Sequence, residues 1–360
     1  MGDDKIALLD LTMVELVGFL RSLGHPDFRA RQVYDWIYRQ RVLDCARMTN
    51  LPKALRQQLA DSATLSPGEL VAESVAADGL TSKSLLRLCD GATVETVLMR
   101  YAEAEGGDGR RAICVSSQVG CPVGCVFCAT GQSGFVRHLT AGEIVGQVLH
   151  FAVRLAAEGY ERPVTHVVFM GQGEPLLNLE QVKRAVEILN SPYGLNLGAR
   201  HVTISTAGVV PGISELARWP LQIGLAVSLH APDDELRTRL VPLNRKYSIA
   251  TVLAACRDYV ARSGRRVTFE YALIDHVNDA PPQARALAQR LRGLNCHVNL
   301  IPMNATPGYE LQPSPRRRVL AFQQELSRQG IACTVRVERG ADIEAACGQL
   351  RRRASSDASV

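Results

Sequence analysis

The chain has 360 residues, 46% hydrophobic and 21% charged, a balance that excludes intrinsic disorder and allows one large domain with a smaller one beside it. No run of about 18 apolar residues is present, which argues against a membrane span, and residues 1–8 carry Asp3 and Asp4 instead of the cationic start of a signal peptide. Ten cysteines without an export signal point to a reducing, cytoplasmic setting, where grouped cysteines mean metal or redox chemistry more often than disulfides.

Residues 1–90 read as a separate helical unit. Helices are expected over 12–23, over 28–39 with Val33, Trp36 and Ile37 near one face, and over 51–59, entered by Pro52. The formal charge of +5 is uneven, and this unit is its basic part: eight Lys and Arg from Arg21 to Arg56 face only Asp27, Asp35 and Asp44. Together with Arg316, Arg317 and Arg318 and with the arginines at 351–353, they suit the phosphates of a nucleic acid or, more blandly, solvated helix faces.

A strand-like stretch over 81–98 leads into a glycine-rich, charged loop over 103–111. From residue 112 the chain alternates. Apolar, β-branched runs at 112–115, 166–169, 201–204, 223–229, 267–273 and 297–301 are separated by helical patterns at 140–157, 179–189, 249–262 and 283–294. Thr140 and Glu143 form a capping-box signal at the first of these helices. Six strands separated by helices predict an α/β fold, a parallel sheet open or curled toward a barrel, with ligands at the C-terminal strand ends. The core is assigned to 91–340, leaving 341–360 as a C-terminal extension with a polar tail.

The unusual residues follow strand ends. Cys121, Cys125 and Cys128, spaced Cys-x3-Cys-x2-Cys, come directly after the first strand of the core. A closed zinc site takes four protein ligands, so three thiolates in one loop fit better a four-iron cluster with one iron left open. Structural zinc completed from elsewhere, or plain core cysteines, are the competing readings. Gly171-Gln-Gly-Glu-Pro follows the second strand, where glycines permit close backbone approach and Glu174 offers an acceptor for an ammonium. Ser205 follows the third strand, the segment Ser228, Leu229 and His230 ends the fourth, and Asn304 follows the sixth. Glu95, a carboxylate in an apolar strand pattern, should be functional or paired. Cys347 reads as a small residue on a helix over 342–350 and Cys114 as core, while Cys45, Cys89, Cys256, Cys296 and Cys333 read as structural.

The three-cysteine loop after the first strand, with the Gly173-Glu-Pro loop, resembles the radical S-adenosylmethionine superfamily. Further segments narrow the resemblance over nearly the whole chain: Phe28-Arg-Ala-Arg-Gln-Val-Tyr-Asp-Trp, Val94-Glu-Thr-Val, Cys114-Val-Ser-Ser-Gln-Val-Gly-Cys, Ser228-Leu-His-Ala-Pro and Gly340-Ala-Asp-Ile-Glu-Ala-Ala-Cys. They resemble the bacterial dual-specificity RNA methyltransferases that act on carbon 2 of adenine in 23S rRNA and tRNA. The resemblance implies a partial (β/α)6 barrel with a small N-terminal helical domain, one [4Fe-4S] cluster on Cys121, Cys125 and Cys128, and two S-adenosylmethionine molecules per turnover.

It further implies that Cys347 is methylated first, that a radical made from the second cofactor activates this methyl, and that the adduct with RNA is resolved by Glu95 as base and Cys114 as attacking thiol. Gly173, Glu174, Ser205, Ser228, Leu229, His230 and Asn304 match cofactor contacts. An electron donor such as flavodoxin, a monomeric state and no membrane association complete the expectation. Two departures adjoin the expected cofactor: Gln172 replaces the usual Met, and Ala305 and Thr306 interrupt the usual Asn-Pro. A related enzyme type acting at carbon 8, and a metal-stabilised RNA-binding protein without catalysis, are the alternatives.

Overall fold

The computed structural model describes residues 5–101, 109–304, 311–336 and 339–350; most of the 103–111 loop, the Ala305 and Thr306 departure, the arginines at 351–353 and the tail lie outside them. The helical unit holds α1 (Met13–Ser22), α2 (Phe28–Tyr34) and α3 (Lys53–Ser62). Thr12 and Glu15 close a capping box on α1. The helix expected over 28–39 forms, but its last turn, Asp35–Arg39, is π-helical.

This unit does not stand apart. Leu16, Leu20, Val33, Ile37 and Leu55 share one core with Leu86, Val94 and Ile113 of the sheet. Asp10 fastens the join: its carboxylate accepts the Gly142 N–H, and its carbonyl accepts Arg184 Nε at 2.8 Å. A Cβ on Gly142 would lie 2.8 Å from the Asp10 nitrogen, so a larger residue would push the unit away.

The sheet has ten strands: β1 (Glu69–Val75), β2 (Thr81–Arg87), β3 (Thr93–Tyr101), β4 (Arg110–Cys114), β5 (His166–Phe169), β6 (Val202–Thr206), β7 (Gly224–Ser228), β8 (Val267–Leu273), β9 (Cys296–Pro302) and β10 (Cys333–Val335). Each pairs with the next. The pairs from β1 to β4 are antiparallel and those from β4 to β10 parallel. No pairing closes β10 onto β1 among the described residues, so the barrel is partial.

All six expected parallel strands are present. The stretch read as one strand over 81–98 is two, because Gly91, at φ 83°, turns the chain between β2 and β3. Since β1 and β2 precede residue 90, a boundary drawn there falls inside the sheet. The seventh parallel strand, β10, was not expected; three residues are too few to show a period.

The crossovers are α4 (Ala141–Ala157), α5 (Leu179–Asn190), α6 (Val210–Arg218), α7 (Asp234–Leu240), α8 (Ile249–Ser263), α9 (Pro281–Leu291) and α10 (Arg316–Arg328). The expected capping box on α4 is present, with Glu143 N–H donating to Thr140 at 3.2 Å. Arg318 on α10 is committed to Asp279, its Nε 2.6 Å from the carboxylate, which removes it from the expected phosphate cluster. No helix among the described residues is long and apolar enough to cross a membrane.

The helix expected over 342–350 is not there. Ala341–Ile343 forms a single 3-10 turn, and Glu344 at φ 52° and Gly348 at φ 83° take left-handed conformations that a helix excludes. Tertiary bonds hold the segment in this shape. Ala129 N–H donates to the Gly348 carbonyl at 2.8 Å, Lys83 Nζ to the Glu344 carbonyl at 3.1 Å, and Asn304 Nδ2 to the Cys347 carbonyl at 3.0 Å.

Candidate active site

The cysteine loop hangs from a small hairpin, Gln118–Gly120 paired with Phe135–His138. Gly120 has φ 77°, and a Cβ there would lie 1.9 Å from the Gly134 carbonyl oxygen. Only glycine lets the hairpin close. Inside the loop Cys128 N–H donates to the Cys125 carbonyl at 3.1 Å, and Val126 N–H donates to the Leu240 carbonyl at the end of α7.

Cys121, Cys125 and Cys128 line a cavity of about 170 Å³ together with Gly173, Glu174, Ser205, Ser228, His230 and Asn304. Four successive strand ends and the loop after β9 thus meet at one place, as the strand-end rule requires. Leu229 is the exception. Its side chain is fully buried in the core, and it adjoins the site only through its backbone.

Burial raises all three thiols, Cys121 to about 12, with the neighbouring thiols adding to the effect. Thiolates here therefore need bound positive charge, which iron would supply. Among the described residues no three side chains of His, Cys, Asp or Glu gather around one ion. The thiols are spread around a cavity instead, an arrangement suited to ligating different irons of one cluster.

Glu174 is fully buried, and burial raises its carboxyl to about 7 against the opposing bonds from Ala207 N–H at 2.6 Å and Leu176 N–H at 3.0 Å. A carboxylate has about four acceptor positions, so it keeps capacity for a ligand ammonium. The cradle beneath is tight. A Cβ on Gly171 would lie 2.7 Å from the Val115 oxygen, and Gly173 has φ 104°. His230 is held neutral, its pKa lowered to about 3 by burial and then by Arg237. Its Nδ1 accepts the Ala272 N–H at 2.9 Å, which leaves the ring hydrogen on Nε2.

A second cavity, of about 260 Å³, shares Met170, Ile301, Asn304, Arg336 and Cys347 with the first and adds Met99 and Cys114. Cys114, from β4, and Cys347, from the C-terminal segment, thus reach one space from positions 233 residues apart. Both are free thiols. Burial first, then the neighbouring Cys347, raises Cys114 to about 12. Glu95 lies outside the lining of both cavities. It sits on the β3 face that also bears Val97 and Met99, ion-paired with Lys83 at 3.1 Å.

Three further residues complete the site. Arg336 borders both cavities, and its guanidinium is raised first by the thiol of Cys347 and also by Glu270. It follows β10, so reading that strand would have exposed it. Glu270 lines the first cavity, raised by burial and bonded by Asn299 Nδ2 at 2.8 Å. A charge within the apolar run of β8 was its signal. Arg237 had none: fully buried on α7, it donates to the carbonyls of Ala207, Ser228 and Leu229, tying the ends of β6 and β7 together.

Comparison with known proteins agrees with this geometry. Residues 115–287 match the Radical SAM superfamily model, and residues 6–65 match the ribosomal RNA large subunit methyltransferase N-terminal domain. The chain is 50% identical to the probable dual-specificity RNA methyltransferase RlmN of Chloroflexus aurantiacus, over 98% of this chain and 94% of that protein. It is 46% identical to the counterpart from Geobacillus kaustophilus, over 96% and 93%. A crystal structure of a radical SAM methyltransferase from Sphaerobacter thermophilus superposes with a TM-score of 0.92 at 52% identity, covering 96% of this chain and 99% of that one.

Proposed function

Because the chain belongs to the RlmN family of radical SAM RNA methyltransferases, we propose that it methylates carbon 2 of an adenine in 23S rRNA and in tRNA through a methyl group carried on Cys347. As a member of that family it uses a [4Fe-4S] cluster and S-adenosylmethionine. One observation carries the reading: Cys114 and Cys347 line one cavity, and Cys347, with Met170, Ile301, Asn304 and Arg336, also lines the adjoining cavity of Cys121, Cys125 and Cys128.

Carbon 2 of adenine is electron-poor and has no lone pair, so polar methyl transfer finds no nucleophile there. When bound, the cluster and the cofactor supply one-electron cleavage of a carbon–sulfur bond and hence a radical able to act on a methyl group. Cys121, Cys125 and Cys128 hold the cluster. Glu174 receives the cofactor's ammonium, and Gly173, Ser205, Ser228, the backbone at Leu229, His230 and Asn304 hold the rest.

Cys347, as a thiolate, would take the first methyl from the sulfonium of S-adenosylmethionine, whose sulfur leaves as a neutral thioether, and Arg336 faces the thiolate with the balancing charge. Asn304 holds the Cys347 backbone and so fixes where the methyl points. After the methyl carbon has joined the base, Glu95 would leave its pair with Lys83 to take the ring proton, and one electron would return to the cluster held by Cys121, Cys125 and Cys128. Cys114 then attacks the Cys347 sulfur; the S–S bond forms as the carbon–sulfur bond breaks, its electron pair leaves with the ring-bound carbon, and that carbon takes a proton to become the methyl group of the freed RNA. A reductant returns both thiols, and an electron donor such as flavodoxin serves the cluster. The buried Cys114 is protonated at rest, so it must shed its proton before it attacks.

The basic helical unit grips RNA phosphates, and the target base leaves its stack to reach the strand ends. The reading places the enzyme in the cytoplasm as a monomer. Nucleoside mass analysis tests it: RNA from a strain lacking the gene, treated with the reconstituted enzyme, should gain 2-methyladenosine. An 8-methyl product, or none, would overturn the assignment.

A further inference from the structure

We propose that the end of the barrel opposite the active site is a second RNA-contacting surface, which holds phosphodiester backbone on arginines placed just before the parallel strands. The inference rests on RNA being the substrate and adds to that reading a contact far from the reacting base.

The active site occupies the C-terminal strand ends. At the other end Arg110 opens β4, Arg162 precedes β5, Arg200 precedes β6 and Arg266 precedes β8, and all four are exposed. Among the described residues the segments reaching this end are 109–111, 158–166, 190–201, 218–224, 262–267, 291–296 and 328–333, with the β1–β2 turn 76–80 and residues 339–342 beside β3. Among the described residues their carboxylates are Glu158, Glu161, Asp78 and Asp342. Glu158 is paired with Arg100 and Arg154, and Asp342 accepts the Ala77 N–H. Glu103, Glu105 and Asp108, in the connection from β3 to β4, lie outside the described residues. The segments at the catalytic end carry both signs, with Asp233, Asp234, Glu235, Asp275 and Asp279 among them.

Helix C-termini also face the basic end, and cations in a last helical turn offset the helix dipole. Arg218, Arg262 and Arg328 are of that kind. Arg110, Arg162, Arg200 and Arg266 are not, since they lie outside the last turn of any α-helix. Arg110 stacks on the Tyr101 ring and Arg200 donates to Gln222 at 3.3 Å, so their partners among the described residues are neutral.

The face continues into the helical unit. A groove between that unit and the barrel is lined by Tyr38, Arg39, Arg41, Arg162 and one carboxylate, Glu161, and Arg31 stacks on Tyr193 beside it. Cations dispersed over a barrel end match a polyanion, whose charges repeat along a backbone; a small anion needs them convergent. Because the target base must enter at the opposite end, the backbone held here belongs to a remote part of a large folded RNA.

The test compares the reconstituted enzyme with the variant Arg162→Gln, Arg200→Gln and Arg266→Gln, none of which touches the site. Binding of a large-subunit rRNA fragment is followed against salt, and methylation of a short hairpin bearing the target adenine is measured in parallel. The variant should bind the fragment about tenfold or more weakly, and its log Kd against log salt slope should fall by about 2–3, near 0.9 for each phosphate that is no longer neutralised. The hairpin's kcat/KM should not change, and the matching Arg→Lys variant should restore binding. Unchanged affinity and slope would overturn the proposal, as would an equal weakening on hairpin and fragment. If the unaltered enzyme bound neither RNA, the RNA reading would fall with it, a result distinct from the other two.

Discussion

Lys83 Nζ lies 3.1 Å from Glu95 Oε1 with both side chains buried, and the same ammonium donates to the Glu344 carbonyl three residues before Cys347. One cation thus ties the expected base to the segment bearing the methyl carrier. Removing one partner of a buried ion pair costs about 3–5 kcal/mol, whereas replacing both by apolar residues costs far less. Lys83→Met should therefore lower the denaturation midpoint sharply, and Lys83→Met with Glu95→Leu should recover much of it. Equal destabilisation in the single and double variants would mean that the pair does not act as a unit.

Gln172 is 1% exposed, and neither polar atom of its side-chain amide finds a partner among the described residues. A buried unpaired polar group costs about 1–3 kcal/mol. Gln172→Met, which restores the residue usual in this family, should raise the melting temperature while the backbone bonds from Ser117 and Gln118 to its carbonyl remain. A lower melting temperature would show that the amide is satisfied, for instance by an ordered water.

Burial raises Glu174 to about 7, above its ordinary value of 4.5. Between these values the folded chain keeps the proton and the unfolded chain does not, so without cofactor this group removes stability as pH rises from about 4.5 to 7. Binding of an ammonium favours the ionised form. Affinity for S-adenosylmethionine, measured by calorimetry on the cluster-loaded enzyme, should therefore rise with pH up to about 7 and level off. Glu174→Gln should bind weakly without that pH dependence; retention of the dependence would assign it elsewhere.

Cys114→Ala should leave enzyme and RNA covalently joined, visible as a slow band on a denaturing gel, because no thiol remains to release Cys347. Free, fully methylated RNA from this variant would refute the resolving role.

Removal of Cys128 tests the other cavity. Cys128→Ala should abolish the visible absorbance of the iron cluster and activity together, and retention of both would overturn the ligand assignment.

The local rules written in this chain were enough to place six parallel strands, the capping box at Thr140 and the polar residues at strand ends, since each depends on a few neighbouring residues or on a period. They were also enough to single out Cys121, Cys125 and Cys128, whose ligand spacing is itself a short-range property. What no local rule reaches is encounter. Cys114 and Cys347 meet because the sheet order and the bonds from Asn304, Lys83 and Ala129 bring the C-terminal segment back over β4. Those same bonds outweigh the helical tendency of residues 342–350. Arg336 and Arg237 owe their place to a three-residue strand and a short helix, elements too brief to show a pattern. Chemistry that resides in one loop is written in order along the chain; chemistry shared between distant segments exists only once packing has chosen their neighbours.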